Sequence, residues 1–212
     1  GQFEAFAHRK AFCEHQVREG IAAGATQVLV LGAGYDTMGW RLSPEFFNVK
    51  FFEIDHPATA RLKAKGIEKL GSRPNFYLIA EDLSEHKLVD VMTDNQNWNL
   101  AAKTIIIAEG LLQYLPPEAV HDLFVQCATI ATEGRIAFTY IPSRRDGRPD
   151  AGPWTNIVLW LLKTSGEPWL WSIPSGQLGH FLEASGWTNA PELVGENTKH
   201  GVELYAVAKK LG

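Results

Sequence analysis

Gln27-Val28-Leu29-Val30-Leu31-Gly32-Ala33-Gly34-Tyr35-Asp36-Thr37 is the stretch that decides the fold. Its first half is a short apolar, β-branched run of strand length, and it stops at a glycine turn. Runs of the same kind recur at Lys50–Ile54, Asn75–Ile79, Thr104–Ala108 and Arg135–Ile141. Helix-like stretches separate or precede them. Phe3–Gly20 carries Phe6, Lys10, Cys13 and Val17 at helical spacing, with Gly24 where a terminating residue falls. Ala58–Leu70 follows Pro57, and Pro116-Pro117-Glu118 opens a helix with Val120, Leu123, Phe124 and Cys127 on one face. Near-continuous apolar strands alternating with amphipathic helices predict a parallel sheet covered on both faces. Right-handed crossovers make that a doubly wound α/β fold. The tail differs. Ser185-Gly186-Trp187 reads as a turn after a helix, and Val202–Ala208 alternates, as an antiparallel strand at the sheet edge or centre would.

With 212 residues, the chain is expected to form one domain, 1–212, with 142–180 as a cap-like insertion. That insertion starts polar and then supplies Trp154, Trp160, Trp169 and Trp171, four of the seven tryptophans. Two readings compete for it: aromatics that fill core, or a substrate cap or oligomer contact. Lys plus Arg is 20 against 24 for Asp plus Glu, a net charge of −4, and the sequence pI is about 6.0. That balance argues against a nucleic-acid partner, which favours a basic face. Cys13 and Cys127 make no disulfide framework and suit a reducing compartment. No apolar run approaches the ~18 residues of a membrane span. Gly1-Gln2-Phe3-Glu4 shows no basic segment leading into an apolar one, so a cytoplasmic location is expected.

The chemistry gathers where the strands end. In a doubly wound sheet, ligands bind beyond the carboxyl ends of the strands, where glycine lets backbone approach closely. Gly32 and Gly34 stand there after the first run. A dinucleotide fingerprint needs a third glycine at the position of Thr37, and Asp36 puts a carboxylate where a pyrophosphate would sit. A ligand with cationic groups and no phosphate fits better. Asp55, past the second run, can accept both hydroxyls of a ribose, or cap the helix starting at Pro57. Glu53 alternates to the opposite face. Ala80-Glu81-Asp82-Leu83 can bond an adenine amino group and pack on its ring. Glu109, followed by the permissive Gly110, faces the same site, and Tyr114 is placed either to point a hydroxyl into it or to fill core.

These stretches, with Trp40-Arg41-Leu42, Phe52-Glu53-Ile54-Asp55-His56-Pro57 and Ala108-Glu109-Gly110-Leu111-Leu112-Gln113-Tyr114-Leu115, resemble the leucine carboxyl methyltransferase family. That family includes polyketide O-methyltransferases of the tetracenomycin type. The resemblance covers roughly Arg9 to Ile141. It implies a Rossmann-like class I methyltransferase sheet, S-adenosylmethionine as cofactor, and O-methyl transfer to a small-molecule acceptor, aromatic or carboxylate. It implies that Arg9 pairs with the methionyl carboxylate, that Gly32 and Gly34 line the methionyl moiety, and that Asp55 holds the ribose. Asp82 and Leu83 would meet the adenine, Glu109 would close the site, and Tyr114 would lie near the transferring methyl as the catalytic residue. Family members usually carry a longer segment ahead of the arginine, supplying a basic residue to the site; eight residues precede Arg9 here.

Two other readings stand beside it: a nicotinamide-dependent oxidoreductase, disfavoured by Thr37 and Asp36, and a non-catalytic binding module. Methyl transfer from a sulfonium needs no metal. The seven histidines, at 8, 15, 56, 86, 121, 180 and 200, offer no metal-ligand spacing.

Overall fold

The computed structural model describes residues 2–195 and 199–212, with the side chains of Gln2, Lys199 and His200 outside that description. The strands are β1 (Gln27–Leu31), β2 (Lys50–Asp55), β3 (Phe76–Ala80), β4 (Lys103–Ala108), β5 (Glu133–Tyr140), β6 (Trp187–Asn189), β7 (Lys199–His200) and β8 (Glu203–Lys210). They form an eight-stranded sheet in the order β3-β2-β1-β4-β5-β8-β6, with β7 beside β8. The five strands expected from the sequence pair in parallel, from β3 through to β5. The alternating tail strand, β8, inserts antiparallel between β5 and β6, so it is interior rather than an edge.

The helices are α1 (Gln2–Ala22), α2 (Met38–Leu42), α3 (Pro57–Leu70), α4 (Leu88–Thr93), α5 (Pro117–Ile130), α6 (Thr155–Thr164) and α7 (Leu178–Ala184). Successive side chains of a strand point to opposite faces, so the central strands feed two cores. Val28, Val30, Ile105, Ile107, Tyr205 and Val207 meet Phe12, Cys13 and Val17 of α1. Leu29, Phe52, Ile106, Phe138 and Ala206 meet Leu88 and Met92 of α4, Phe124 and Cys127 of α5, and Leu182 of α7. Both cysteines are buried and free, and burial pushes both thiols up, away from thiolate chemistry.

Pro57 opens α3 in the first turn, and the cap is His56, whose Nδ1 accepts from the Ala58 amide. Asp55 therefore does not cap this helix. After β5 the chain crosses itself in bridges between Pro142 and Ile173 and between Ser143 and Pro149. It then runs through α6 and into α7, which begins inside the expected 142–180 insertion. The aromatics of this stretch divide in burial. Trp171 is 5% exposed and joins a core, while Trp154 and Trp160 are 67% and 62% exposed.

Candidate functional site

Parallel registration brings the strand ends side by side. Leu31 lies opposite Ile54 on one side and Ala108 on the other, and Asp55 lies opposite Ala80. The loops that start with Gly32, Glu81 and Glu109 therefore leave the sheet along one rim, with Asp55 among them.

The glycine turn is built as the sequence demands. Gly32 and Gly34 sit at φ +60° and +54°, a region that favours glycine. A Cβ on Gly32 would stand 3.0 Å from Leu111 Cδ1, whereas one on Gly34 would meet nothing within 4 Å. Gly34 thus faces open space. Its amide donates to Asp55 Oδ2, and the His56 amide donates to Asp55 Oδ1 at 2.7 Å. Asp36 Oδ1 accepts from the Met38 amide at 2.8 Å. Behind the turn, Lys63 Nζ reaches both the Asp36 carbonyl and Glu53 Oε2. The Glu53 and Lys63 side chains are 1% and 5% exposed. Burial raises the Glu53 carboxyl above its ordinary value, with Lys63 opposing.

From the other side α1 delivers two consecutive cations. Arg9 Nε donates to Glu109 Oε1 at 2.7 Å, and Nη1 to Glu203 Oε2 at 2.8 Å. Lys10 Nζ pairs with Asp36 Oδ2 at 2.6 Å and Glu109 Oε2 at 2.8 Å. Gln113 Nε2 completes Glu203 by donating to Oε1 at 3.1 Å. Burial opposes the charge on Arg9 and Lys10, but their carboxylate partners outweigh it and hold both above their ordinary values. Burial likewise opposes ionisation of Asp36, and Lys10, with the Met38 amide and Lys63, still holds its carboxyl low. Gly110 is needed here: at φ +60° it brings the chain so close that a Cβ would lie 3.2 Å from Arg9 Nη1.

Of the residues named from sequence, Arg9, Gly32, Gly34, Asp55 and Glu109 lie along this rim. Asp82 joins through His56, whose Nε2 lies 3.4 Å from Asp82 Oδ2, and the Ser84 hydroxyl and amide hold the Asp82 carboxyl low. Leu83 is half-buried and packs on the α5 side of the sheet. Tyr114 is 38% exposed, so it is no core filler, and it lines a depression with Glu167, Pro168 and Leu170.

Sequence reading missed Lys10, Glu203, Gln113 and Lys63. Lys10 was legible as a charge on the apolar stripe of Phe6, Cys13 and Val17. Glu203 was legible by parity with Tyr205 and Val207, which face α1. Nothing local marked Gln113 or Lys63.

The donor set discriminates between ligands. Arg9, Lys10 and Lys63 are each engaged by protein carboxylates; Asp36 is taken up by Lys10, Asp55 accepts the Gly34 and His56 amides, and Asp82 lies beside His56. A nucleoside bearing a sulfonium and an ammonium fits these residues. Among the described residues, no group of three or more His, Cys, Asp or Glu side chains could hold a metal ion. No helix among them is long and apolar enough to cross a membrane.

The profile of the family described as "Leucine carboxyl methyltransferase" matches residues 2–128. A Mycolicibacterium gilvum protein, provisionally named an S-adenosyl-L-methionine-dependent methyltransferase, is 32% identical over 151 residues, 69% of this chain and 48% of that protein. A Streptomyces avermitilis protein with the same provisional name is 31% identical over 190 residues, 85% of this chain and 62% of that protein. The chain thus spans about half to two thirds of the length of such relatives. A Thermobifida fusca crystal structure, provisionally titled a methyltransferase, superposes with a TM-score of 0.72 at 12% identity, covering 99% of this chain and 82% of that one. Mitomycin 7-O-methyltransferase superposes at 0.61 and 13% identity, covering 94% of this chain and 54% of that one. At such identities the structures speak for the fold, a Rossmann-like class I methyltransferase sheet.

Proposed function

The chain belongs to the leucine carboxyl methyltransferase family, and from that premise we propose that it binds S-adenosylmethionine and methylates an oxygen of a small-molecule or carboxyl acceptor. One observation carries the reading: the Asp55 carboxylate at the end of β2 is held by the amide of Gly34, a left-handed glycine that opens on empty space.

Asp55 is placed to accept the ribose hydroxyls, with Oδ2 fixed by the Gly34 amide. Asp82 and Leu83 border the place for the adenine. Arg9, through the Nη2 that neither of its pairs uses, is the donor for the methionyl carboxylate. Glu109 holds Arg9 and Lys10 in that orientation. Bound there, the cofactor would supply a methyl carbon on a sulfonium, an electrophile for an acceptor oxygen with a neutral thioether as leaving group. The protein's contribution to such a displacement is alignment and exclusion of water. Tyr114, next to the Gln113 that donates to Glu203, is the residue assigned to the place near the transferring methyl.

A thermal-shift screen with S-adenosylmethionine, S-adenosylhomocysteine, NAD and NADP tests this reading. A ligand at 100 times its Kd adds about 2.7 kcal/mol, and each kcal/mol moves Tm by about 2–4 °C at this length. A shift with the two S-adenosyl compounds alone is expected. A shift with NAD or NADP alone would overturn the cofactor assignment.

A further inference from the structure

α6 carries six consecutive apolar residues, Ile157-Val158-Leu159-Trp160-Leu161-Leu162, and Lys163 is its only charge. A helix that is apolar on every side is normally covered by other protein. Among the described residues, neither core includes any from α6. Its exposed side has helical spacing: Trp154, just ahead of the helix, then Ile157, Trp160 and Leu161. Ile157 and Leu161 are both 52% exposed, beside the two exposed indoles. The helix is nevertheless held at both ends. Thr155 is buried, and its Oγ1 accepts from the Ala151 amide at 2.9 Å and donates to the Gly152 carbonyl at 2.7 Å. Beyond the helix, the Leu170 amide donates to the Gln113 carbonyl at 2.6 Å. α6 is therefore a fixed apolar ridge.

We propose that this face, Trp154 with Ile157, Trp160 and Leu161, is where two copies of the chain associate about a twofold axis. The four side chains expose on the order of 500 Å² of apolar surface, given about 150–250 Å² for a whole aromatic side chain. Monomeric proteins rarely leave a contiguous patch larger than a few hundred Å². Paired with its own copy, the face would remove about 1,000 Å² from water, the size at which specific interfaces begin. Exposed rows three and four residues apart let α6 pack against itself, and the two indoles supply aromatic anchors. The surrounding charges choose a copy of the chain over a bilayer. In the loop before α6, Arg148 pairs with Asp146 at 2.7 Å, and Arg144 lies 4.0 Å from Asp150. Arg145 and Lys163 are left as cations, with Glu167 just past the helix, in a chain of net charge −4. An anionic lipid surface calls for a larger excess of Lys and Arg. A nearly balanced rim suits a second copy of the same rim.

Light scattering on the full chain, from micromolar to submillimolar concentration, tests the assignment. A mass of about twice 23.5 kDa is expected at the top of the series. Trp160→Glu and Ile157→Lys should each raise the dimer dissociation constant at least about thirtyfold. Each should keep Tm within about 2 °C of the wild-type chain, since neither side chain joins a core. Phe47→Glu, which replaces a ring 74% exposed outside this segment, should leave the dimer unchanged. A chain that stays at 23.5 kDa throughout would overturn the proposal. So would a dimer that survives both α6 substitutions. So would a monomer that floats with phosphatidylglycerol vesicles until Trp160→Glu releases it, since the face would then belong to a bilayer.

Discussion

Gly34→Ala separates a glycine kept for the backbone from one kept for a ligand. The residue sits at φ +54°, and an added Cβ would meet no atom within 4 Å. Only the left-handed backbone is then strained, which costs about 1–2 kcal/mol. At this chain length that lowers Tm by about 2–8 °C. The reference variant is Gly134→Ala, at the start of β5. Its Cβ would fall 1.9 Å from the Thr104 carbonyl oxygen, which is backbone of the paired strand and cannot rotate away. That variant should cost about 3 kcal/mol or more, because the β4–β5 pairing itself has to open. Binding should show the reverse ranking. The Cβ of Gly34→Ala enters the open space assigned to the methionyl end of the cofactor and is expected to weaken S-adenosylhomocysteine at least tenfold, about 1.4 kcal/mol. Gly134→Ala, as far as it stays folded, should bind within about twofold of the wild-type chain, since Gly134 pairs at the amino ends of the strands. Differential scanning fluorimetry and isothermal titration calorimetry on both proteins suffice. Unchanged affinity in Gly34→Ala would refute the placement of the ligand, and a Tm loss equal to that of Gly134→Ala would refute the strain argument.

Other substitutions follow from the same contacts. Asp55→Ala should weaken S-adenosylhomocysteine with a small loss of Tm, because the Gly34 and His56 amides it receives lie near water. Arg9→Ala should weaken the ligand and also destabilise by about 1–3 kcal/mol, since it leaves Glu109 and Glu203 facing each other with one cation fewer; calorimetry and chemical denaturation read the two effects separately. Lys63→Met should destabilise by about 3–5 kcal/mol by stranding Glu53 in the interior, and Glu53→Gln added to it should recover part of that in urea denaturation. The Asp36 carboxyl is held below its ordinary 3.8 in the folded chain, so the unfolded chain takes up its proton first. Its stabilisation is present above that value and drains as pH falls through the folded one. Asp36→Asn should therefore show a flatter loss of Tm between about pH 5 and pH 3 than the wild-type chain, and an equally steep loss would contradict the assignment.

The sheet was legible because its strands are buried on both faces. Leu29 and Val30 or Ile105 and Ile106 feed opposite cores, so consecutive positions are apolar and the run stands out from its polar flanks. α2 and α4 were not legible, since five and six residues give too few turns for a periodic stripe. The aromatic stretch after β5 could not be resolved either: Trp171 and Trp160 look alike in sequence, and only the bridge from Pro142 to Ile173 decides which one meets the core. In the site, the residues at strand ends were readable because topology fixes where a strand end goes. The partners were harder, because each arrives from a distant element.

Those partners change what the readable residues can do. Viewed alone, Arg9 is a free cation awaiting an anion. With Glu109 and Glu203 on two of its nitrogens, it is a neutralised fork with one edge left. The same holds for Lys10, shared between Asp36 and Glu109. Each of these charge-assisted pairs lies in a half-buried setting, where it is stronger than in water. Substituting Glu109 is therefore expected to change what Arg9 and Lys10 offer a ligand, although Glu109 itself faces them rather than the open space at Gly34.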